Sequence, residues 1–272
     1  MKKKSLNAKK QNHRILISHY YDHKIKKSLK ILKNNILNLK FNDKLAVGVS
    51  GGPDSLALAF LLKCCQIQTK KKVFYFHVDH GLRKNSSKEA NDIKTKLSKF
   101  GIKLKILVWK GPRPKSNIQS EAREIRYKLL FDEISKLKIK NIFLGHNKQD
   151  VIENFFIRLT RGSGLSGCVS FNSFLNNFNN IKICRPFLEI EKSDLLYITN
   201  KVFGFHISDP SNSNNYFKRA RIRKLLNGLE SEGFNTKKIK LTINNLSLAN
   251  DSVLYFVNKN ISGNATFIKD QI

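Results

Sequence analysis

Residues 50–55 read Ser-Gly-Gly-Pro-Asp-Ser, between the apolar run LAVGV and a second apolar run that begins just after them with LALAFLL. A strand that feeds a glycine-rich turn and then a helix places that turn at the carboxyl edge of an open α/β sheet, where such sheets bind ligands. Gly51 and Gly52 let the backbone approach an anion, the N–H groups at the helix start face it, and the Ser50 and Ser55 hydroxyls add donors. Pro53 at a first helical position costs no hydrogen bond. Asp54 beside a phosphate is repulsive by itself, so a Mg²⁺ ion held by Asp54 and bridging to phosphate oxygens is the expected partner. A plain strand-to-helix turn is the alternative, because Gly-Gly-Pro is also turn chemistry. No lysine follows and no G-x-x-x-x-G-K-S/T pattern occurs, which argues against a P-loop kinase or GTPase.

From Lys44 onward, short apolar runs alternate with amphipathic segments: LAVGVS, FLLKCC, VFYFHVDH, SSKEANDIKTKLSKF, LKILVW. The pattern predicts an α/β fold, a parallel sheet flanked by helices on both faces. Ser86 and Glu89 have capping-box spacing, and Gly101 is a plausible helix stop. Helices are expected over 119–137 and 151–159, with a strand at 141–145 between them. Ile152, Phe155, Phe156 and Leu159 fall at the spacing of one buried helical face. The Asn- and Phe-rich stretch after residue 167 reads as a loop, followed by a short extended piece and a helix. Further helices are expected from Tyr216 and over 237–258. The expected organisation is a basic N-terminal extension with a helix (1–40), a catalytic domain (41–227) and a small C-terminal helical tail (228–272).

Lys and Arg total 51 against 20 Asp and Glu, a net charge of +31. That balance suits a polyanionic partner, but the abundance of Lys, Asn and Ile also fits an AT-rich coding sequence, so charge alone leaves both readings open. Cys64, Cys65, Cys168 and Cys184 form no C-x-x-C pair or zinc-spaced cluster and read as buried hydrophobes of a reducing compartment. No apolar run approaches a membrane span, and the basic start lacks the apolar stretch of a signal peptide, so a cytoplasmic location without membrane contact is expected.

Ser50 to Ser55 resembles the PP-loop signature SGG-x-DS of the ATP pyrophosphatases, which split ATP into AMP and pyrophosphate. Four further stretches follow in the order of one member family, the tRNA(Ile)-lysidine synthases: HVDHGLR at 77–83, NIQSEAREIRY at 117–127, LGHNKQDVIENFFIRLTRGSG at 144–164, and DPSN at 209–212 with KRARIR at 218–223. The resemblance covers residues 44–226 and implies a Rossmann-like PP-loop fold. It also implies that ATP adenylates the C2 oxygen of the wobble cytidine in a tRNA(Ile) with a CAU anticodon. The ε-amine of free L-lysine then displaces AMP to give lysidine. Ser50, Gly51, Gly52, Pro53, Asp54 and Ser55 are the implied ATP residues, and Asp54, Asp150 and Arg123 the implied catalytic ones. A homodimer is allowed, and no residue of the sequence decides the oligomeric state.

His77, Asp79 and His80 end the second strand; two His and an Asp invite a metal, but a matching third ligand is missing and a nucleotide-shaping role is favoured. Asp150 and Glu153 share a helical face, either as a functional pair or as exposed acids. Members of the resembled family carry two acids and a glutamine here, where this chain has Gln149, Asp150 and Val151; Asp150 matches the retained acid. Arg161 to Gly167 formally contains G-x-G-x-x-G, but a helix precedes it and no helical pattern follows, so it fails as a dinucleotide fingerprint. Arg123, Arg126, Arg219, Arg221 and Arg223 suit RNA or triphosphate oxygens, with solvated basic helix faces as the alternative. Other readings are a tRNA-thiolating PP-loop enzyme and an inactive RNA-binding module.

Overall fold

In a computed structural model, the chain is described over residues 18–37, 44–69, 71–83, 85–113, 118–172, 175–178, 180–208, 216, 218–229 and 232–264. The basic tail of residues 1–14 and the DPSN stretch at 209–212 lie outside the described residues. Two compact units divide the chain: Met1–Lys148 with Phe174–Pro210, and Gln149–Ser173 with Ser211–Ile272.

The first unit is built on a six-stranded sheet. Its strands are β1 (Lys44–Gly48), β2 (Lys72–Asp79), β3 (Leu104–Val108), β4 (Asn141–Leu144), β5 (Leu175–Phe178) and β6 (Ile181–Cys184), in the order β3-β2-β1-β4-β6-β5. Five strands run parallel, as the alternation of apolar runs and helices predicts, and β5 pairs antiparallel with β6 at the edge. In β1, Leu45 and Val47 join one apolar cluster while Ala46 joins the other, the two-residue alternation that gives each face its own core. Both faces are buried, as a parallel sheet demands.

One face is covered by α1 (His23–Leu37), α2 (Pro53–Thr69), α3 (Ser86–Ser98) and α7 (Lys192–Phe203), the other by α4 (Ile118–Lys136). Helix α2 is apolar on every side, and it packs against both α1 and α7. Each residue from Leu56 to Leu62 is at most 1% exposed, so no side is left for solvent. Phe60 meets Phe100 and Phe203 edge to face at 6.1 and 6.3 Å.

Some local expectations fail for identifiable reasons. The Ser86–Glu89 capping box does not form: Asn85 is the N-cap, no side chain caps the helix, and Glu89 pairs instead with Arg83 at 2.7 Å. A positively charged partner within reach outcompetes the backbone N–H for the carboxylate. Gly101, at φ +67°, does follow the end of α3. Strands β5 and β6 replace the expected loop; the asparagines of LNNF hide a strand whose partner supplies the pairing, and Asn180 turns at φ +62°, a conformation Asn tolerates.

The second unit holds most of α5 (Lys148–Leu159), α6 (Leu165–Val169), α8 (Lys218–Leu229) and α9 (Thr236–Asn264). In α5 the fully buried residues are Val151, Ile152 and Glu153, whereas Leu159 is 51% exposed, so the expected apolar face is only partly used. Helix α9 packs on α6, and the buried Lys240 ammonium donates to Asn172 Oδ1 and Asn244 Oδ1 at 2.7 and 2.8 Å. No described helix is long and apolar enough to cross a membrane.

Because Phe60 is fully enclosed, Phe60→Ala is expected to lower unfolding free energy by about 3–5 kcal/mol in urea titrations.

Candidate active site

Strand β1 lies between β2 and β4, so the connections on its two sides diverge and leave a crevice at its carboxyl end. Residues 50–55 occupy that end, and α2 opens at Pro53. Gly51 takes φ +90°, and a Cβ there would stand 2.5 Å from Ile93 Cδ1, so both conformation and space call for glycine. The Ser55 hydroxyl closes the loop on itself. It accepts from the N–H groups of Ser50 and Gly51 and from Ser50 Oγ, each at 3.1 Å, and donates to the Gly52 carbonyl at 2.9 Å. Where the sequence suggests a phosphate donor, the structure shows Ser55 first as the bond that shapes the loop.

Three other segments hold this turn. Thr199 of α7 donates to the Pro53 carbonyl at 2.7 Å, and the Ile207 N–H donates to the Gly51 carbonyl at 2.9 Å. The third is the end of β4. A Cβ on Gly145 would lie 2.8 Å from the Asp54 carbonyl oxygen, so the backbone there presses on the first turn of α2. Two residues on, the buried Asn147 amide donates to Asp54 Oδ2 at 3.0 Å and is itself fixed by a parallel bridge to Phe187. Asp54 is thereby aimed by a neutral donor. Gly145 and Asn147 were not singled out individually in the sequence; the signals for them are their place directly after a buried strand and inside the stretch 144–164 that carries the family resemblance.

At the end of β2, His77 Nδ1 lies 2.8 Å from the Val49 carbonyl, which makes Nδ1 the protonated nitrogen of a neutral ring. Burial lowers its pKa against the pull of that hydrogen bond and of Asp79. Burial also depresses His80, to about 4, helped by the positive charge of Arg126. Asp79 is an anchor: it accepts the Gly81 N–H at 3.0 Å and the Ser87 hydroxyl at 2.8 Å. Burial acts to raise its pKa, but those bonds, with the Ser86 hydroxyl and His77, hold it below the ordinary carboxylate value. Ser86 and Ser87 thus serve Asp79 at the start of α3. Among the described residues no group of three His, Cys, Asp or Glu side chains is placed to hold a metal ion.

Helix α4 contributes two arginines. Arg126 lies within electrostatic reach of both His77 and His80. Arg123 is exposed, its guanidinium 4.9 Å from the Tyr127 ring centre and bonded to the Tyr127 hydroxyl at 3.1 Å. Arg185, directly after β6, is buried near both of these side chains.

Asp150 belongs to the second unit. There Glu153 is fully buried and pairs with Arg223 Nε at 2.5 Å and Arg219 Nε at 3.0 Å, while Arg219 also approaches Asp150 at 3.8 Å. The two acids of α5 do share a face, and the arginines of α8 occupy it. Val151, at the departure from the family pattern, is buried. The glycine segment at 162–167 follows helix α5 and opens only the five-residue α6, which is no dinucleotide-binding context.

Against known proteins, the PP-loop domain family matches residues 21–229 of this chain. The tRNA(Ile)-lysidine synthase of Orientia tsutsugamushi (strain Boryong) is 37% identical over 219 residues, 78% of this chain and 49% of that protein. The synthase of Bradyrhizobium diazoefficiens is 32% identical over 81% of this chain and 62% of its own length. That of Wolbachia pipientis wMel is 34% identical over 84% and 54%. The chain thus spans about half to three-fifths of the length of these curated relatives. Among solved structures, the U34-tRNA thiolase NcsA from Methanococcus maripaludis superposes with a TM-score of 0.68 at 23% identity, over 82% of this chain and 78% of that one. At that identity the likeness is one of fold.

Two outcomes follow from the site's geometry. Gly145→Ala is expected to displace the first turn of α2 and weaken ATP binding at least tenfold in equilibrium titration; unchanged affinity would show that the close approach is dispensable. His80 ionises in the unfolded chain near pH 6.5 but in the folded one only near 4, so folded stability is complete above 6.5 and falls as pH drops from 6.5 towards 4. Thermal unfolding midpoints should decline across that window, and His80→Gln should flatten the decline.

Proposed function

Because this chain belongs to the PP-loop domain family, with residues 21–229 matched, we propose that it is an ATP-dependent ligase that converts the wobble cytidine of a CAU-anticodon tRNA(Ile) into lysidine, using free L-lysine. The observation that carries this reading is the loop of residues 50–55 at the carboxyl end of β1, clamped so that Asp54 is fixed by Asn147. The curated relatives, 32–37% identical to this chain, bear the name of that synthase.

In this reading the cytidine C2 oxygen attacks the α-phosphorus of ATP and pyrophosphate leaves. The lysine ε-amine then adds at C2, AMP departs with the former C2 oxygen, and the amine gives up a proton. Residues 50–55 bind the phosphates, with Gly51 admitting the close backbone approach. Asp54 would hold Mg²⁺, which would supply charge neutralisation at the leaving pyrophosphate. The Asp54 carboxylate, fixed by Asn147 at the start of the helix that follows β1, fits such an ion, since Mg²⁺ is ordinarily held by one or two carboxylates together with substrate phosphates. Arg123 neutralises developing phosphate charge, and Asp150 is the acid retained from the family pattern. Residues 41–227 form the catalytic domain between the extension 1–40 and the tail 228–272, and the enzyme acts in the cytoplasm, where its tRNA substrate is found.

Thiolation is the weaker reading. It needs a reactive sulfur or a cluster, whereas all four cysteines are free and buried. Burial pushes the Cys64 thiol up to about 12, Cys65 to about 11 and Cys184 to about 12, far from thiolate character.

The test is incubation of the pure protein with ATP, Mg²⁺, labelled lysine and an unmodified CAU-anticodon tRNA(Ile). Label should enter the tRNA as AMP is released, and Asp54→Asn should cut AMP formation by at least about a hundredfold. Absence of label, under conditions where an established synthase transfers it, would sink the assignment.

A further inference from the structure

Trp109 is the only tryptophan of the chain, and its placement is not that of a core residue. It follows directly on β3, and neither apolar cluster of the first unit includes it. Its backbone extends the sheet, the N–H donating to the Asp79 carbonyl at the end of β2 at 2.9 Å. The side chain is held by the turn that follows. Its Nε1–H donates to the Pro112 carbonyl at 3.1 Å, and a Cβ on Gly111 would stand 2.2 Å from Cζ2 of the indole, so glycine is what lets the ring lie this close to the chain. A half-buried ring whose one polar atom is satisfied is fixed in orientation without being enclosed. It borders an open hollow of about 490 Å³ together with Arg113 and, from α4, Glu121, Glu124 and Lys128. Both signs of charge are present, yet these four side chains form no ion pair among the described residues.

We infer that Trp109 is a stacking platform for an unpaired base of the RNA substrate, one that flanks the base to be modified; this rests on the proposed action on a tRNA. The indole suits a base of any identity, because every base has a π-face. The Glu121 and Glu124 carboxylates accept hydrogen bonds of the kind that the exocyclic amines of cytosine, adenine and guanine donate. Arg113 and Lys128 carry the charge that attracts a phosphate. A free amine would meet those two cations, and a bare phosphate would meet the two carboxylates and leave the ring unused, whereas a nucleotide uses all five side chains. The openness of the hollow favours a strand that enters from solvent over a small nucleotide that must be enclosed to be held. Its place also fits. Strands β1, β2 and β3 are parallel neighbours, so their carboxyl ends share one edge, and at about 4.8 Å between strands the end of β3 lies roughly 10 Å from the loop of residues 50–55.

As the single tryptophan, Trp109 reports on itself. The full chain is titrated with an unmodified CAU-anticodon stem-loop RNA while tryptophan emission is followed, and binding is measured in parallel by filter retention. Emission should fall as the loop binds. A fully paired duplex of the same length should bind without that fall, because its bases are already stacked, and an abasic nucleotide at one position flanking the wobble base should abolish it. Trp109→Ala should weaken loop binding roughly fivefold to a hundredfold with the slope of affinity against salt unchanged, and Trp109→Phe should restore most of the loss. Glu121→Ala combined with Glu124→Ala should also weaken binding, although removing two negative charges would by itself strengthen the attraction to RNA. Steady emission at saturating RNA overturns the site whether or not the Trp109 variants fold, and so does unchanged binding by a folded Trp109→Ala. An equal fall with free AMP marks a mononucleotide site and overturns the RNA assignment. If emission falls but no lysine is transferred, the proposed reaction fails and the stacking site stands; lysine transfer with steady emission removes the site alone.

Discussion

The close approach of the β4 end to the first turn of α2 is the contact on which the site depends. Gly145 has no room for a side chain against the Asp54 peptide, and Asn147 reaches back to the Asp54 carboxylate. A glycine-rich loop alone is soft, and it binds anions well only if its N–H groups are held in place before the ligand arrives. Here the Ser55 hydroxyl ties the loop from within, and further rigidity comes from outside it: from a buried strand, from Thr199 beneath Pro53, and from a helix packed on every side over Leu56–Leu62. The ordering entropy is spent during folding of the apolar core, so binding need not supply it again.

The same economy explains which features were legible in the sequence. The α/β alternation and the loop at the end of β1 were readable because each rests on a local signal: apolar runs of strand length, glycines at a turn, proline at a helix start. The packing roles of Gly145 and Asn147 were not, because a glycine or an asparagine after a strand acquires meaning only from what folds against it. Strand β5 was missed for a related reason. Its residues have little strand propensity of their own, and pairing with β6 imposes the conformation. The Ser86–Glu89 pattern misled because Arg83 and Asp79 offer those side chains stronger partners than a helix end does.

Charge is managed differently in the two units. In the second, the buried Glu153 is matched by Arg219 and Arg223, which ties the basic helix α8 to α5 and removes two cations from the freely solvated surface. Such a pair adds little net stability but fixes which residues meet, since either partner left alone would be a buried or crowded charge. In the first unit, burial and the Arg126 cation lower the pKa of His77 in β2 and of His80 just after it, which favours their neutral forms.

The four enclosed thiols give the molecule an internal clock. Cys64, Cys65 and Cys184 lie in the first unit and Cys168 in the second, and all are buried. A sulfur shielded in this way meets an alkylating reagent only when its surroundings open, so the rate at which each cysteine is modified reports the opening free energy of its own neighbourhood. Cooperative unfolding of the sheet core and local loosening of the helical unit can therefore be followed separately, in one sample, without any introduced label.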